Sequence, residues 1–327
     1  FDMATGTGKT FTALAAICKL SEAVSHNLAV IIVCPYQHLV EQWKSDIVLF
    51  GMKPIVCYSA SKQKNWRQRV RNSISGFRLG AVKRFCIITT NATFGTDFMR
   101  LQVSRLKGNC LLVVDEAHNF GATKAIKSLP NHFDYRLALS ATIERYGDEE
   151  GTRALFEYFG PKCIEYTLED AINNGMLTPY YYHPVVVYLD GEELEQYVEL
   201  SKQIAKAIAS SESKRQEDLS SMAKMLLIKR ARIVAGASAK IPKLKKVISD
   251  YRDKKHMLVY CGATTIQDVG YKEALPDDAE TRQIDAVTRM LGNDLGMHVA
   301  QFTSNENAEK RKLLKDEFED GIHMQAL

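Results

Sequence analysis

Short, unbroken apolar runs recur along the first half of the chain, each followed by a polar or amphipathic stretch. The runs are Leu28–Cys34, Pro54–Tyr58, Phe85–Thr89, Cys110–Val114 and Arg136–Leu139. They are rich in Val and Ile and do not alternate with polar residues. A strand with that pattern is buried on both faces, as in a parallel sheet. Thr10–Leu20, Gln37–Phe50 and Trp66–Ser75 lie between them and read as helices. Strand–helix alternation predicts a doubly wound α/β domain.

Further along, Asn173-Asn174-Gly175 and Thr178-Pro179 are turn signals, and Pro184–Leu189 reads as one more strand. From Glu192 to about Ala235 there is no proline, which predicts one or two long helices with a break near Ser210–Ser213. A second α/β pattern starts near Ile241. It offers helices at Lys243–Tyr251, Ala279–Leu291 and Ala308–Glu319, and strands at Met257–Cys261, Val299–Thr303 and Ile322–Leu327. The expected architecture is therefore a first α/β domain over 1–183, a connecting strand and helical insertion over 184–240, and a second, incomplete α/β domain over 241–327.

Composition agrees and narrows the class. The 327 residues suffice for about two domains. Hydrophobic residues at 46% and charged residues at 25% exclude a disordered tail, a collagen-like repeat and a disulfide miniprotein. No apolar run approaches the ~18 residues of a membrane span. Seven scattered cysteines, none in a CxxC pair, read as reduced thiols and place the protein in the cytoplasm. No HxxxH or HExxH spacing is present among the eight histidines, which argues against a histidine-held metal. A net charge of +4 is too weak by itself to assign a polyanion partner.

Two motifs carry chemistry. Residues 3–10 read MATGTGKT. Gly8, Lys9 and Thr10 match the end of the GxxxxGK[ST] phosphate loop, although Met3 occupies the first glycine position. Small residues at Ala4, Gly6 and Gly8 let backbone N–H groups turn inward around phosphate oxygens, and a helix starting near Lys9 points its positive end at the anion. Lys9 would reach the outer phosphates and the Thr10 hydroxyl would bind Mg²⁺. Residues 111–118 read LLVVDEAH, an apolar run ending in adjacent carboxylates. Asp115 would hold Mg²⁺ through water, and Glu116 would take a proton from an attacking water. Asp115 follows Lys9 by 106 positions, which leaves room for several strand–helix units. Together the motifs point to nucleoside-triphosphate hydrolysis.

The sequence resembles the superfamily 2 helicases and translocases of DEAH-box type, through an ordered set of segments. MATGTGKT looks like motif I, VIIVCPYQHLVEQW (30–43) like motif Ia, and ITTNATF (88–94) like motif Ic. DEAH at 115–118 looks like motif II, LALSATIER (137–145) like motif III, and HMLVYCGAT (256–264) like motif IV. The glycine loop, the Glu41-Gln42-Trp43 triplet and NNGMLTPYYY (173–182) look most like the branch of restriction-enzyme motor subunits, type III restriction-like, and repair translocases. Ile143 departs from the proline that relatives often carry after Ser-Ala-Thr. The resemblance implies two RecA-like P-loop domains, with parallel sheets flanked by helices and the second incomplete. It implies ATP and Mg²⁺ as cofactors, bound by Gly6, Thr7, Gly8, Lys9 and Thr10, with catalysis by Lys9, Asp115 and Glu116 and metal at Thr10 and Asp115. His118, Ser140, Ala141 and Thr142 would couple nucleotide state to nucleic-acid grip. Pro35, Tyr36, Thr89 and Thr90 would lie near the nucleic-acid backbone.

The implied activity is an ATP hydrolase moving on nucleic acid, DNA before RNA. A different class, an ATP-gated clamp or scaffold without unwinding, uses the same fold. Residues 62–71, KQKNWRQRVR, hold five basic side chains around Trp66. They fit either phosphate contacts with a stacking tryptophan or a solvated helix with the ring packed inward. KIPKLKK (240–246) reads as a solvated helix start. Tyr180–Tyr182 suit packing between domains or, secondarily, base stacking, and the 192–235 helices could serve a protein partner, as could flanking domains. Only Phe1 and Asp2 precede the phosphate loop, so its leading strand is expected to be missing or a stub. Motifs V and VI, with the family arginine finger, are absent, and such an arginine is worth ~10³–10⁵ in rate. Poor hydrolysis by this chain is the expectation.

Overall fold

The seven residues of β2 (Leu28–Cys34) are all buried, and their side chains divide by parity. Ala29, Ile31 and Val33 enter one apolar cluster, while Leu28, Val30, Ile32 and Cys34 enter another on the opposite face. Successive strand side chains point to opposite faces, so an unbroken apolar run is what a sheet covered on both sides demands. The computed structural model describes residues 1–327 apart from 121–125, 127–128, 210–220, 263–264, 268–279 and 304. It forms two units, Phe1–Tyr181 and Tyr182–Leu327.

In the first unit the chain runs β1 (Asp2–Met3), α1 (Lys9–Ala23), β2, α2 (Gln37–Leu49), β3 (Ile55–Cys57), α3 (Trp66–Arg78) and β4 (Arg84–Thr90). It continues through α4 (Asn91–Phe94), α5 (Asp97–Val103), β5 (Cys110–Asp115), β6 (Tyr135–Leu139), α6 (Glu149–Phe159), β7 (Glu165–Tyr166) and α7 (Leu168–Asn173). The five-stranded parallel sheet has the order β3-β4-β2-β5-β6. Helices α1 and α2 cover one face through Leu14, Ile17, Val40, Trp43 and Ile47. Helices α3 and α5 cover the other through Trp66, Val70, Ile74, Phe77, Met99 and Val103. This is the RecA-like α/β arrangement expected of the first domain. The five predicted strands all form, with ends shifted by no more than one residue.

The strand expected ahead of the phosphate loop is a two-residue stub. β1 lies between β6 and β7: Met3 N–H donates to Ser140 O (2.9 Å), Asp2 N–H to Ile164 O (2.9 Å), and Ala4 N–H to Tyr166 O (2.9 Å). Lys162 ties the stub to β7, with its ammonium 2.7 Å from Asp2 and 2.8 Å from Glu165.

In the second unit, α8 (Gly191–Ala209) and α9 (Ser221–Ala235) pack on each other, so the long proline-free stretch forms two helices. The break expected at Ser210–Ser213 lies outside the described residues. Next come α10 (Lys240–Ser249), β8 (Thr265–Gln267), β9 (Glu280–Arg282), α11 (Gln283–Arg289) and α12 (Ala308–Asp320), with a π turn over Met290–Asp294. α10 begins within KIPKLKK, as predicted, with Pro242 in its first turn, where a missing N–H costs nothing. Three extended segments lie side by side in parallel, with 324–327 between 257–259 and 298–300. Val259 N–H donates to Leu327 O (3.0 Å) and Ala300 N–H to Ala326 O (3.2 Å).

Two expectations are corrected. Pro184–Leu189 has no regular secondary structure and pairs with no strand among the described residues; Val186 is 67% and Tyr188 81% exposed. An apolar run becomes a strand only when a neighbour satisfies its backbone, and among the described residues none pairs with this one. The helix predicted over Ala279–Leu291 starts at Gln283, because Glu280–Arg282 pairs antiparallel with Thr265–Gln267; Ala279 lies outside the described residues. The two readings of Trp66 are also decided. Its ring is buried and meets Phe98 edge-on, with centroids 5.7 Å apart, so it packs inward.

Candidate nucleotide and coupling site

Parallel strands leave their C-terminal ends along one edge of the sheet, and ligands of such folds sit there. β1, β2, β4, β5 and β6 bring the predicted site residues to that edge.

The loop after β1 is built for an anion. Gly6 and Gly8 have φ of 85° and 88°, values that side-chain-bearing residues rarely adopt. A Cβ on Gly6 would also come within 3.2 Å of Leu177 Cδ2. Gly8 is the N-cap of α1 and offers no side chain to it, and the first turn carries no acidic residue. The first N–H groups of this 15-residue helix are thus left to a ligand. Lys9 Nζ donates to Met3 O (3.0 Å) and is held across the loop, while the Thr7 hydroxyl donates to Ala4 O (2.6 Å).

Asp115 ends β5 and is buried, yet both its carboxylate oxygens are engaged. Oδ2 accepts from the Trp43 indole N–H at 2.8 Å, and Oδ1 accepts from the Glu116 backbone N–H at 3.0 Å. The next residue, Glu116, has φ of 48°, in the left-handed region. That turn sends the chain from the strand into a 3₁₀ turn over Ala117–Phe120. A non-glycine residue costs ~1–2 kcal/mol there. Strain of this kind persists where its surroundings over-determine it, commonly at functional positions.

Glu116 and His118 then meet β6. Glu116 Oε2 is 3.4 Å from His118 Nδ1, which is 3.0 Å from Ser140 Oγ. Ser140 is fully buried, and its Oγ accepts from Thr142 N–H at 3.2 Å. Arg145 closes the circuit: its guanidinium donates to His118 O and lies 2.7 Å from Asp148. The DEAH and Ser-Ala-Thr segments are therefore one hydrogen-bonded unit. Cys34, at the end of β2, is also buried here; burial and the neighbouring Asp115 push its thiol pKa well up.

The four residues expected near a nucleic-acid backbone separate. Tyr36 is 60% exposed and stacks on His38, with centroids 5.6 Å apart and planes 8° off parallel, and Pro35 is half-buried beside it. Thr89 is fully buried and donates to Cys57 O (2.9 Å). Thr90 is also buried and caps α4 by accepting from Thr93 N–H. Both threonines serve the fold here. Trp43 and Arg145 are the residues that motif reading left without a role. Trp43 was visible as the last residue of the Ia segment, but nothing local says that its indole pins Asp115.

The donor set suits a nucleoside triphosphate with Mg²⁺. One hydroxyl and one carboxylate are what Mg²⁺ takes from a protein when phosphates and water supply the remainder. Among the described residues no cluster of three or more His, Cys, Asp or Glu offers a self-contained metal cage. No helix among the described residues is long and apolar enough to cross a membrane.

Fold and loop together define a RecA-like P-loop domain. Residues 1–145 match the family described as "Type III restriction enzyme, res subunit". Over those residues the match bears out the resemblance to the type III restriction-like branch. No curated protein matches the sequence. Among solved structures, the chain is similar to the Pyrococcus furiosus Hef helicase domain, at 16% identity and a TM-score of 0.49 over 99% of this chain and 81% of that one. It is similar to the Sulfolobus solfataricus SWI2/SNF2 ATPase core in complex with dsDNA, at 15% identity and a TM-score of 0.36 over 99% of this chain and 71% of that one. A nuclease-deletion mutant of the Type ISP restriction-modification enzyme LlaGI, in complex with a DNA substrate mimic, is similar at 12% identity and a TM-score of 0.43, over 98% of this chain and 31% of that one.

Proposed function

We propose that the protein is an ATP-dependent motor that couples hydrolysis to movement on nucleic acid, DNA in the first place. The observation that carries this is the continuous path Asp115–Glu116–His118–Ser140–Thr142. A simple nucleotide-binding domain has no need to wire its acidic pair to a second strand end.

Gly6, Thr7, Gly8 and the start of α1 would hold the phosphates through backbone N–H groups. Lys9 would exchange Met3 O for a phosphate oxygen, and Thr10 and Asp115 would hold Mg²⁺. The bound ion supplies charge neutralisation on the triphosphate. Glu116 accepts the proton of the attacking water, from a position that the left-handed turn fixes. His118 presents one ring nitrogen, Nδ1, to both the Glu116 carboxylate and the Ser140 hydroxyl, so a change at Glu116 alters the His118–Ser140 bond through that shared atom. Ala141 and Thr142 follow Ser140 directly, so the loop after β6 moves with it. Pro35 and the Tyr36–His38 stack offer an exposed surface at the same edge for the polymer.

Single-turnover ATP hydrolysis with protein in excess, measured without polymer and with duplex DNA, single-stranded DNA or RNA, tests the reading. Stimulation by DNA is expected, and stimulation by RNA alone would move the substrate to RNA. Glu116→Gln should keep nucleotide affinity while turnover collapses. If no polymer changes the rate, the motor reading fails and the clamp takes its place.

A further inference from the structure

Acidic residues vanish from one stretch of this chain. Between Asp46 and Asp97 there are nine Lys and Arg and no Asp or Glu, whereas the other 277 residues carry 34 basic against 39 acidic side chains. The modest overall charge therefore hides a strongly positive segment inside an otherwise acidic protein. Its centre is α3 with the loop ahead of it.

Helix geometry gathers the charge. At 100° per residue, Arg67, Arg71 and Arg78 fall within about 40° of one another and form a stripe roughly 16 Å long. All three are exposed, as are Lys62 and Lys64 just before the helix. Two of the guanidiniums are set in place rather than free: Arg67 lies 4.6 Å over the Trp66 ring, and Arg71 lies 5.3 Å over Phe98. Among the described residues none of the five forms a salt bridge within 4 Å, and of the five only Lys62 acts on a nearby carboxylate whose pKa is shifted, that of Glu41.

The helix carries this charge at its own expense. Its first turn holds no acid and its N-cap, Asn65, makes no side-chain bond. Basic residues in a first turn oppose the helix dipole, and Arg67 and Arg71 repel at i,i+4. An ordinary solvated helix interleaves acids to avoid both costs.

We propose that this stripe, with Lys62 and Lys64, grips the phosphate backbone of duplex DNA to one side of the strand-end track. The inference rests on the nucleic-acid reading above and extends it to a surface outside the helicase-like motifs. α3 follows the edge strand β3, two strands from β2, whose end carries Tyr36, so the stripe is offset by about 10 Å at the sheet. A 16 Å row of cations matches about five phosphates along one strand, at ~3.4 Å each. Duplex is favoured over single strand because the aromatic side chains here are unavailable for base stacking. Trp66 is buried, and Phe98 is half-buried beneath the arginines. A single-strand platform needs open rings.

The test is binding of a fluorescein-labelled duplex to the full chain, followed by anisotropy across salt. Removing four cations together, by Lys62→Gln, Lys64→Gln, Arg67→Gln and Arg71→Gln, should reduce the slope of log K against log salt by about 3–4. The affinity ratio of wild type to variant should then shrink by about 100-fold between ~50 and ~200 mM salt. Arg67→Lys with Arg71→Lys keeps the charge and should keep the slope, which separates charge from fold, and circular dichroism checks that all variants fold. An unchanged slope in the four-site variant overturns the proposal while leaving the motor reading intact. Absence of duplex binding by wild type overturns the proposal too, and leaves the motor reading to the single-stranded DNA and RNA arms of the hydrolysis assay. A slope change with no polymer-stimulated hydrolysis upholds the surface and removes the motor. Loss of binding to phosphatidylserine vesicles, with duplex binding unaffected, would assign the stripe to a membrane and overturn it.

Discussion

The contact between Trp43 and Asp115 invites the sharpest perturbation. Trp43→Phe keeps an aromatic ring in the core position on α2 but deletes the indole N–H that donates to Asp115 Oδ2 at 2.8 Å. Both groups are buried, with Trp43 only 1% and Asp115 8% exposed, so water cannot replace the donor without a cavity. A hydrogen bond to a charged group contributes ~1.5–3 kcal/mol, and the ring volume lost adds a cavity cost, for a total of about 2–4 kcal/mol. In a unit of 181 residues that lowers the melting temperature by roughly 4–16 °C, at ~2–4 °C per kcal/mol. The freed carboxylate also loses its orientation. Groups that position a ligating side chain typically change metal affinity or activity ~10–100-fold, and single-turnover hydrolysis should fall by that amount. Thermal melts of Trp43→Phe, Asp115→Ala and the double variant provide the cycle. A coupling energy of about 1.5 kcal/mol is expected. If the two substitutions add to within ~0.3 kcal/mol, the indole does not hold Asp115 and the reasoning fails.

Two further outcomes follow from the same geometry. Asp148 caps α6 by accepting from Gly151 N–H at 2.8 Å and pairs with Arg145; those bonds, the backbone one first, hold its carboxyl below its ordinary 3.8. A depressed carboxylate contributes stability above its unfolded value and loses it as pH falls through the folded one. Asp148→Ala should therefore cost ~0.5–2 kcal/mol at neutral pH in urea melts, and the deficit should shrink below pH ~4; a deficit that stays constant on acidification would show that the charge is irrelevant. Thiol titration at mildly alkaline pH should label exposed Cys163 first. Burial pushes Cys57 and Cys110 up to about 12 and raises Cys34 and Cys86 as well, so those four should react only after unfolding. Rapid labelling of all seven thiols in the folded protein would contradict the buried core.

The strands of the first unit were legible because their signal is local. β2 is apolar at every position from Leu28 to Cys34, and a run this short and rich in Val and Ile suits a doubly covered strand better than a buried helix. α1 was legible for the same kind of reason, since the glycines before Lys9 cap and turn the chain within a few residues. Where the outcome depended on a distant neighbour, local pattern misled. Pro184–Leu189 has a strand's composition but pairs with no strand among the described residues, and Glu280–Arg282 leaves the helix pattern for a partner at Thr265–Gln267.

The sequence by itself thus determined the chemistry available: a loop for phosphates, two carboxylates at a strand end, and a Ser-Ala-Thr segment after another. Residue type and short spacing decide those, because they rest on backbone freedom and charge within a few residues. Tertiary structure alone decided which atoms meet. Trp43 and Asp115 are 72 positions apart, and they meet because β2 and β5 are neighbours in the sheet. Parallel pairing of β5 with β6 brings His118 to Ser140, 22 positions on. Likewise, the same run of five basic residues could have faced solvent or polymer with its tryptophan outward. Packing of Trp66 under Arg67 and against Phe98 turned the ring inward and left the charges as the exposed face. Strand order and packing are global properties of the chain, set by which apolar faces can be buried together, and no window of sequence contains them.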